Sequence, residues 1–152
     1  MAFCFAADRT LGKLAKWLRI LGFDTNIEID VPADRFYAHL DKDRIVLTRT
    51  VAIKKQFKAH RLVFITSNHL DVQLRQVIAE IGICQPDTQP FTRCLHCNVE
   101  IVDADPDEVC GLIPDYIYET YKEFHKCLQC NRIFWPGSHT KRGLARIEHL
   151  FD

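Results

Sequence analysis

Hydrophobic positions in the first 85 residues follow two alternating patterns. Short continuous apolar runs are typical of buried strands, and runs with apolar residues every three or four positions are typical of helices. The predicted strands cover residues 2–7, 23–29, 44–48 and 62–65. The predicted helices cover residues 11–21, 34–40, a basic stretch around 54–58, and 69–83. This alternation predicts an α/β fold, with a parallel sheet flanked by helices.

The pattern changes after a polar segment with two prolines, residues 85–90. Beyond it, short apolar segments surround two Cys-x-x-C pairs, and the acidic segment 103–108 is interpreted as a solvated loop. A last helix is predicted up to Leu150, capped by Ser138 or Thr140. We therefore predict an α/β domain over residues 1–88, and a small metal-binding domain with a C-terminal helix over residues 89–152.

The two Cys-x-x-C pairs are the most specific chemical signal in the chain. They are separated by 29 residues and supply Cys94, Cys97, Cys127 and Cys130. Two such pairs give the four sulfur ligands of a tetrahedral structural zinc site, here of the zinc-ribbon kind. Asn98 and Asn131 follow the pairs and tolerate the left-handed backbone that ends such turns. The alternatives are two disulfides or four unrelated core cysteines.

Composition and charge narrow the class of protein only slightly. Of the 152 residues, 47% are hydrophobic and 26% are charged, as in an ordinary soluble globular protein. No apolar run is long enough to cross a membrane, so no membrane partner is expected. The sequence shows no export signal, so we expect a cytoplasmic protein with reduced thiols. Residues 1–90 carry 13 Lys and Arg against 10 Asp and Glu, which slightly favours a polyanionic partner.

Candidate chemistry lies where the predicted strands end, because sites of parallel sheets form at their carboxyl edge. Asp8 follows the first strand, and Thr48, Arg49 and Thr50 surround the end of the third. Asp30 and Asp34 follow the second strand and could face the same crevice. Carboxylates gathered there could hold Mg²⁺ or Mn²⁺ and support phosphodiester hydrolysis.

Each of these residues also has a purely structural interpretation. Asp8 could cap the first helix, and Asp30 and Asp34 could be cap or turn residues. The lysines of residues 54–58 could be an ordinary solvated helix face. The chain contains no glycine-rich phosphate loop, no serine nucleophile motif and no dinucleotide fingerprint.

Several segments together resemble a known family. They are residues 5–25 (FAADRTLGKLAKWLRILGFDT), 44–49 (RIVLTR), 73–75 (QLR), both Cys-x-x-C pairs and 134–139 (FWPGSH). In this order, and over nearly the whole chain, they resemble the Mut7-C RNase domain. The resemblance implies a PIN-like nuclease fold followed by a zinc ribbon. It also implies a proposed metal-dependent ribonuclease activity or RNA binding.

The resemblance also implies roles for individual residues. Asp8 would be the first metal-binding carboxylate, and Asp34 or Asp30 would be another. The family turn typically reads L-T-R-D, whereas this chain has Thr50 where the family has its acidic residue. A missing charge weakens the binding of a divalent ion, so we expect a slow nuclease or an RNA-binding protein that does not cut.

The leading hypothesis is therefore a PIN-like ribonuclease that uses Mg²⁺ or Mn²⁺ and carries a structural zinc. Its predicted RNA contacts are Arg9, Lys13, Arg49, Lys54, Lys55 and Lys58. The alternatives are a non-catalytic RNA-binding or ribosome-associated zinc-ribbon module, and a protein-interaction adaptor. The sequence leaves open the RNA, the cleavage position and the oligomeric state.

Overall fold

A computed structural model describes residues 2–29, 32–57 and 61–152, without the side chains of Ala33 and Asp34. Two of the predicted site residues, Asp30 and Lys58, lie outside the described residues.

Four parallel strands form the first sheet, in the order β2-β1-β3-β4. The strands are β1 (Cys4–Ala7), β2 (Asp24–Ile27), β3 (Ile45–Thr48) and β4 (Leu62–Phe64). A 3-10 turn (Arg9–Leu11) precedes the helices α1 (Gly12–Ile20), α2 (Ala33–Ala38), α3 (Val51–Gln56) and α4 (Leu70–Ile81). The predicted α/β fold with a parallel sheet flanked by helices is confirmed. The sheet order also places β1 beside β3, so their carboxyl ends meet.

Side chains of the central strands point alternately to the two faces of the sheet, and both faces are buried. Phe5 and Leu47 belong to a large apolar core that includes Leu14 of α1. Val46 points to the other face, into a smaller cluster with Phe57 at the end of α3. Because consecutive residues of β3 are buried on opposite faces, the strand reads as one continuous apolar run in the sequence.

The C-terminal half contains a second, antiparallel sheet in the order β5-β6-β7. Its elements are β5 (Val102–Ala104), α5 (Pro106–Val109), α6 (Asp115–Thr120), β6 (Phe124–Lys126) and β7 (Ile133–Phe134). The acidic segment 103–108, interpreted as a solvated loop, instead supplies the end of β5 and most of α5. It does so because Ala104 and Val109 are buried against Phe124.

The last helix, α7 (Ser138–Leu150), packs against the first half of the chain. Ile147 and Leu150 are buried in the same core as α1 and α4. The predicted cap is wrong: Gly137 is the N-cap residue and no side chain caps the helix. A Cβ on Gly143 would lie 2.6 Å from Cζ of Phe91, so a larger residue at this position would require the Phe91 ring to shift. The packing brings the basic residues of α7 beside α1.

None of the helices in the described part of the chain has both the length and the apolar character needed to span a membrane.

Candidate functional site

The four cysteines of the two Cys-x-x-C pairs come together in one cluster. Their sulfur atoms lie within 4.8 Å of one another, and Sγ of Cys94 is 3.8 Å from Sγ of Cys130. Four thiolates at about 2.3 Å from a tetrahedral zinc are about 3.8 Å apart, so the cluster could hold such an ion. All seven cysteines of the chain are free thiols, which excludes the two-disulfide alternative in this structure.

The two cysteine turns have the same backbone geometry. The amide of Asn98 donates to the carbonyl of Cys94 at 2.9 Å, and that of Asn131 donates to Cys127 at 2.8 Å. Both asparagines have φ of 62°, which confirms the predicted left-handed ends of the turns. A backbone hydrogen bond from Arg132 lowers the pKa of Cys130 to about 6, whereas desolvation and the neighbouring thiols raise the pKa values of Cys94 and Cys97.

Hydrogen bonds fix the first cysteine turn to the parallel sheet. Oδ1 of Asn98 accepts from the amide of Thr25 at 2.9 Å, and its Nδ2 donates to Oδ1 of Asp24 at 2.6 Å. The buried Arg19 donates from Nη1 to the carbonyl of Leu95 at 2.8 Å and from Nε to that of Thr25 at 2.9 Å. The first cysteine turn is therefore anchored to β2 and α1.

Asp8 lies at the carboxyl end of β1 and is 1% exposed. Its Oδ1 accepts from the amide and the hydroxyl of Thr10, at 2.9 and 2.5 Å. Its Oδ2 accepts from the hydroxyl of Thr48 at 2.6 Å and from the amide of Arg49 at 3.0 Å. Asp8 therefore caps the 3-10 turn that leads into α1, rather than α1 itself, whose N-cap residue is Leu11. It also ties the ends of β1 and β3 together.

A second buried carboxylate at this edge, Glu28, was missed by the sequence analysis. It follows β2 directly, its amide donates to the carbonyl of Ala7 at 3.0 Å, and it is 4% exposed. Among the described residues, its side chain has two polar contacts, both at 3.4 Å, with Nε of Arg9 and the hydroxyl of Tyr37. Burial, with the nearby charges of Glu28 and Asp8, raises the pKa of Tyr37, which keeps its hydroxyl a neutral donor.

The register of the sheet could have revealed Glu28. Ala7 pairs with Ile27, so the residues that follow them, Asp8 and Glu28, come side by side at the edge. Because the second strand is predicted to extend to residue 29, the carboxylates expected at its end are Asp30 and Asp34. In the described part of the chain, the cysteine cluster is the single group of three or more possible metal ligands. The buried carboxylates described at the sheet edge are the carboxylate pair Asp8 and Glu28.

Thr50 stands beside this pair without joining it. Its amide donates to the hydroxyl of Thr48 at 3.0 Å, and it occupies the N-cap position of α3. Its own side chain is exposed and makes no capping hydrogen bond. The position is therefore open to a substituted side chain.

The other predicted site residues are distributed over several surfaces. Arg9 and Arg49 flank the carboxylate pair, and Lys13 lies at the beginning of α1. Lys54 and Lys55 are exposed on α3, with Nζ of Lys54 4.7 Å from the ring centre of Phe64. Asp34 lies in α2, and its side chain is not described.

Comparison with known proteins identifies the family. Neither the curated proteins nor the solved structures contain a match to this chain. A family model described as the Mut7-C RNAse domain matches residues 4–147. The matched residues contain the parallel sheet, the carboxylate pair, the four cysteines and most of α7. The chain therefore belongs to the Mut7-C RNAse domain family.

Proposed function

We propose that this protein binds RNA and hydrolyses it slowly with Mg²⁺ or Mn²⁺ at the edge formed by Asp8 and Glu28. The observation that supports this most is a pair of buried carboxylates at neighbouring strand ends in a chain of an RNAse family. A buried carboxylate is costly unless it is well paired. The 3.4 Å contacts of Glu28 are longer than those of strong charge-assisted hydrogen bonds, so it keeps capacity for a cation.

The carboxylate pair fits a divalent cation of the magnesium type. Such ions bind one or two carboxylates and take their other ligands from water and phosphate. Two of the four donors to Asp8 are the hydroxyls of Thr10 and Thr48, and a hydroxyl can rotate away to free a lone pair. The cost of that rotation and the neutral side chain of Thr50 are the physical reasons for expecting weak metal binding.

Asp8 and Glu28 would hold the cation, which would supply positive charge to the phosphodiester and lower the pKa of an attacking water. We propose Arg9 and Arg49 as phosphate contacts, supported by the contact of Arg9 with Glu28 and by the backbone hydrogen bond from Arg49 to Asp8. We propose Lys13, Lys54, Lys55 and Lys58 as further phosphate contacts, and Asp34 or Asp30 as a further carboxylate. We also propose that the fold is PIN-like, that the cysteine cluster holds a structural zinc, and that the protein works in the cytoplasm.

Glu28→Gln tests the proposal, because it keeps the shape of the side chain and removes its charge. Mn²⁺ binding to the zinc-loaded protein is followed by the resonance signal of free Mn²⁺, beside cleavage of a labelled RNA. We expect the substitution to weaken Mn²⁺ binding by about tenfold, or about 1.4 kcal/mol, with a parallel loss of cleavage. Glu119→Gln, at an exposed position on α6, is the matched control and should leave both unchanged.

Equal Mn²⁺ binding and equal cleavage by the wild type and Glu28→Gln would show that the metal is held elsewhere. The non-catalytic RNA-binding alternative is favoured by one observation, the four hydrogen bonds that already occupy Asp8. RNA binding by the wild type, with no cleavage at any Mn²⁺ concentration up to the millimolar range, would establish that alternative.

A further inference from the structure

A groove with a volume of about 630 Å³ lies between α1 and α7. Its basic lining residues are Lys13, Lys16, His139, Arg142 and Arg146, and none of its lining residues is acidic. The spacing of three or four residues puts each set on one face of its helix, so the two basic faces confront each other. The groove also contains apolar surface from Trp17, Phe91 and Leu95.

The charges of this groove are largely uncompensated by the protein itself. Among the described residues, Lys13, Lys16 and Arg142 form no ion pair with a carboxylate. Arg146 binds Asp71 of α4 at 2.5 Å, and its guanidinium group lies 4.7 Å from the ring centre of Trp17. Facing cations repel each other, and a polyanion between them removes that repulsion and releases counterions.

We propose that this groove binds a single-stranded RNA. The identification of the polyanion as RNA rests on the proposed function. The evidence that the groove binds a polyanion is its shape and its basic lining residues. Phosphates lie against the lysines and arginines of the rim, and an unpaired base packs beside Arg146 against the apolar surface of Trp17, Phe91 and Leu95. A duplex hides the faces of its bases, whereas a single strand can place them on such a surface.

The position of the groove connects it to the carboxylate pair. Lys13 lies in the first turn of α1, five residues after Asp8, so a strand in the groove is led towards the sheet edge. The groove lies on the sheet face covered by α1 and α7, whereas Lys54 and Lys55 belong to α3 on the opposite face. The groove also needs both halves of the chain, because α1 belongs to the first half and α7 follows the two cysteine turns.

A double charge reversal, Lys16→Glu with Arg142→Glu, tests the groove. Its matched control is Lys122→Glu with Lys141→Glu, which makes the same charge change at two exposed lysines outside the groove. Binding of a fluorescein-labelled 12-nucleotide oligouridine to the zinc-loaded protein is measured by anisotropy at several salt concentrations, without added Mg²⁺ or Mn²⁺. Circular dichroism and thermal melting verify that both double variants are folded.

We expect the groove variant to lose at least tenfold in affinity relative to its control. Its salt slope should fall by about 1.4, since each lost contact with a single strand removes about 0.7. Trp135→Phe leaves Trp17 as the single tryptophan, and we expect oligouridine, but not a 12-base-pair RNA duplex, to quench its emission.

Three results would overturn the proposal. The first is equal RNA affinity of the groove variant and its control, including no binding by either. The second is unquenched Trp17 emission at saturating RNA, and the third is competition by polyglutamate that is as effective as competition by RNA. The last would assign the groove to an acidic protein segment.

Cleavage assays separate this proposal from the nuclease proposal. Loss of cleavage with normal RNA binding in Glu28→Gln supports both. A groove variant that binds and cleaves like the wild type refutes the groove and leaves the nuclease intact. Groove-dependent RNA binding without cleavage by any protein refutes the nuclease and leaves the groove intact.

Discussion

The cysteine cluster and the carboxylate pair are assembled in different ways. Each cysteine turn places two ligands through its own backbone, with an asparagine at φ of 62° closing the turn. The carboxylate pair takes one residue from the end of β1 and one from the end of β2, and only the register of the sheet brings them together. The cysteine spacing can therefore be interpreted directly, whereas the carboxylate pair requires the topology.

The two regions also differ in how fully their polar groups are used. Four cysteines make a closed set with no position left for a substrate, so the binding energy of the metal is spent on folding. At the sheet edge, Asp8 is held by four hydrogen bonds, and Glu28 has contacts of 3.4 Å. This difference supports the proposals that the cysteine cluster is structural and that Glu28 takes part in binding a cation.

Cys127→Ser should have the largest effect, because it removes one of four ligands from a site that supports its own fold. Zinc binding in small domains is worth on the order of 10 kcal/mol, so most of the antiparallel sheet should lose protection. We expect hydrogen exchange to rise sharply in β6 and β7, to rise moderately in β2, to which Asn98 is bonded, and to change little in β3. Elemental analysis should show about one zinc in the wild type.

The matched control for that experiment is Cys84→Ser, at an exposed cysteine outside the cluster. It should keep its zinc and its exchange pattern. Less than about half an equivalent of zinc in carefully reduced wild-type protein would refute the assignment of the cluster to zinc.

Asp8→Ala should have the next largest effect, and on stability rather than on zinc content. It leaves the amides of Thr10 and Arg49 without the acceptor of their partly buried hydrogen bonds, and each unsatisfied buried donor costs about 1–3 kcal/mol, so we expect a loss of about 2–6 kcal/mol. Equilibrium urea unfolding measures this cost. Thr50→Ala, at an exposed side chain with no capping bond, should stay within about 0.5 kcal/mol of the wild type.

A cost below about 1 kcal/mol for Asp8→Ala would mean that these hydrogen bonds are weak in solution. If the cost is large, loss of activity in this variant cannot by itself assign Asp8 to catalysis. Glu28→Gln is then the cleaner probe of the metal site, because Glu28 has fewer and longer contacts to lose.

Much of the fold could be predicted from local patterns, because buried strands and amphipathic helices leave clear signals. The strand Ile45–Thr48 is fully buried, and its continuous apolar run identifies it. The segment from Val102 to Thr120 could not be predicted in the same way. Its helices are short, and the contact of Ala104 and Val109 with Phe124 exists only once the antiparallel sheet has formed.

The same distinction applies to the candidate sites. The four cysteines were predicted from spacing alone, and Asp8 from its place after an apolar run. Glu28 was missed because the sequence does not show where the second strand ends. The pairing with β1 ends at Ile27, which makes Glu28 the first residue beyond the strand. The basic groove was missed because it depends on the packing of α7 against the first half of the chain, where Gly143 lies close to the Phe91 ring.

The smallest expected effect is that of Thr50→Asp, which would make the carboxylate region more like a dedicated metal site. The amide of Thr50 binds the hydroxyl of Thr48, which in turn donates to Asp8. The backbone of residue 50 is therefore connected to Asp8 through two hydrogen bonds, so a carboxylate at this exposed position would be added beside the existing pair. We expect Mn²⁺ affinity and cleavage rate to rise by about threefold to tenfold, or about 1 kcal/mol, because added ligand charge strengthens such sites.

Thr50→Asn is the control that separates metal binding from helix capping, since Asn and Asp are similarly good N-cap residues but Asn carries no charge. If both substitutions raise cleavage equally, the gain comes from α3 and the site has been assigned to the wrong residues. If the gain depends on charge, adding Glu28→Gln to Thr50→Asp should remove it, because the new carboxylate then loses its partner. Titration of cleavage rate against Mn²⁺ for the four proteins distinguishes these cases. Robust wild-type cleavage that neither substitution alters would place the catalytic metal away from this edge.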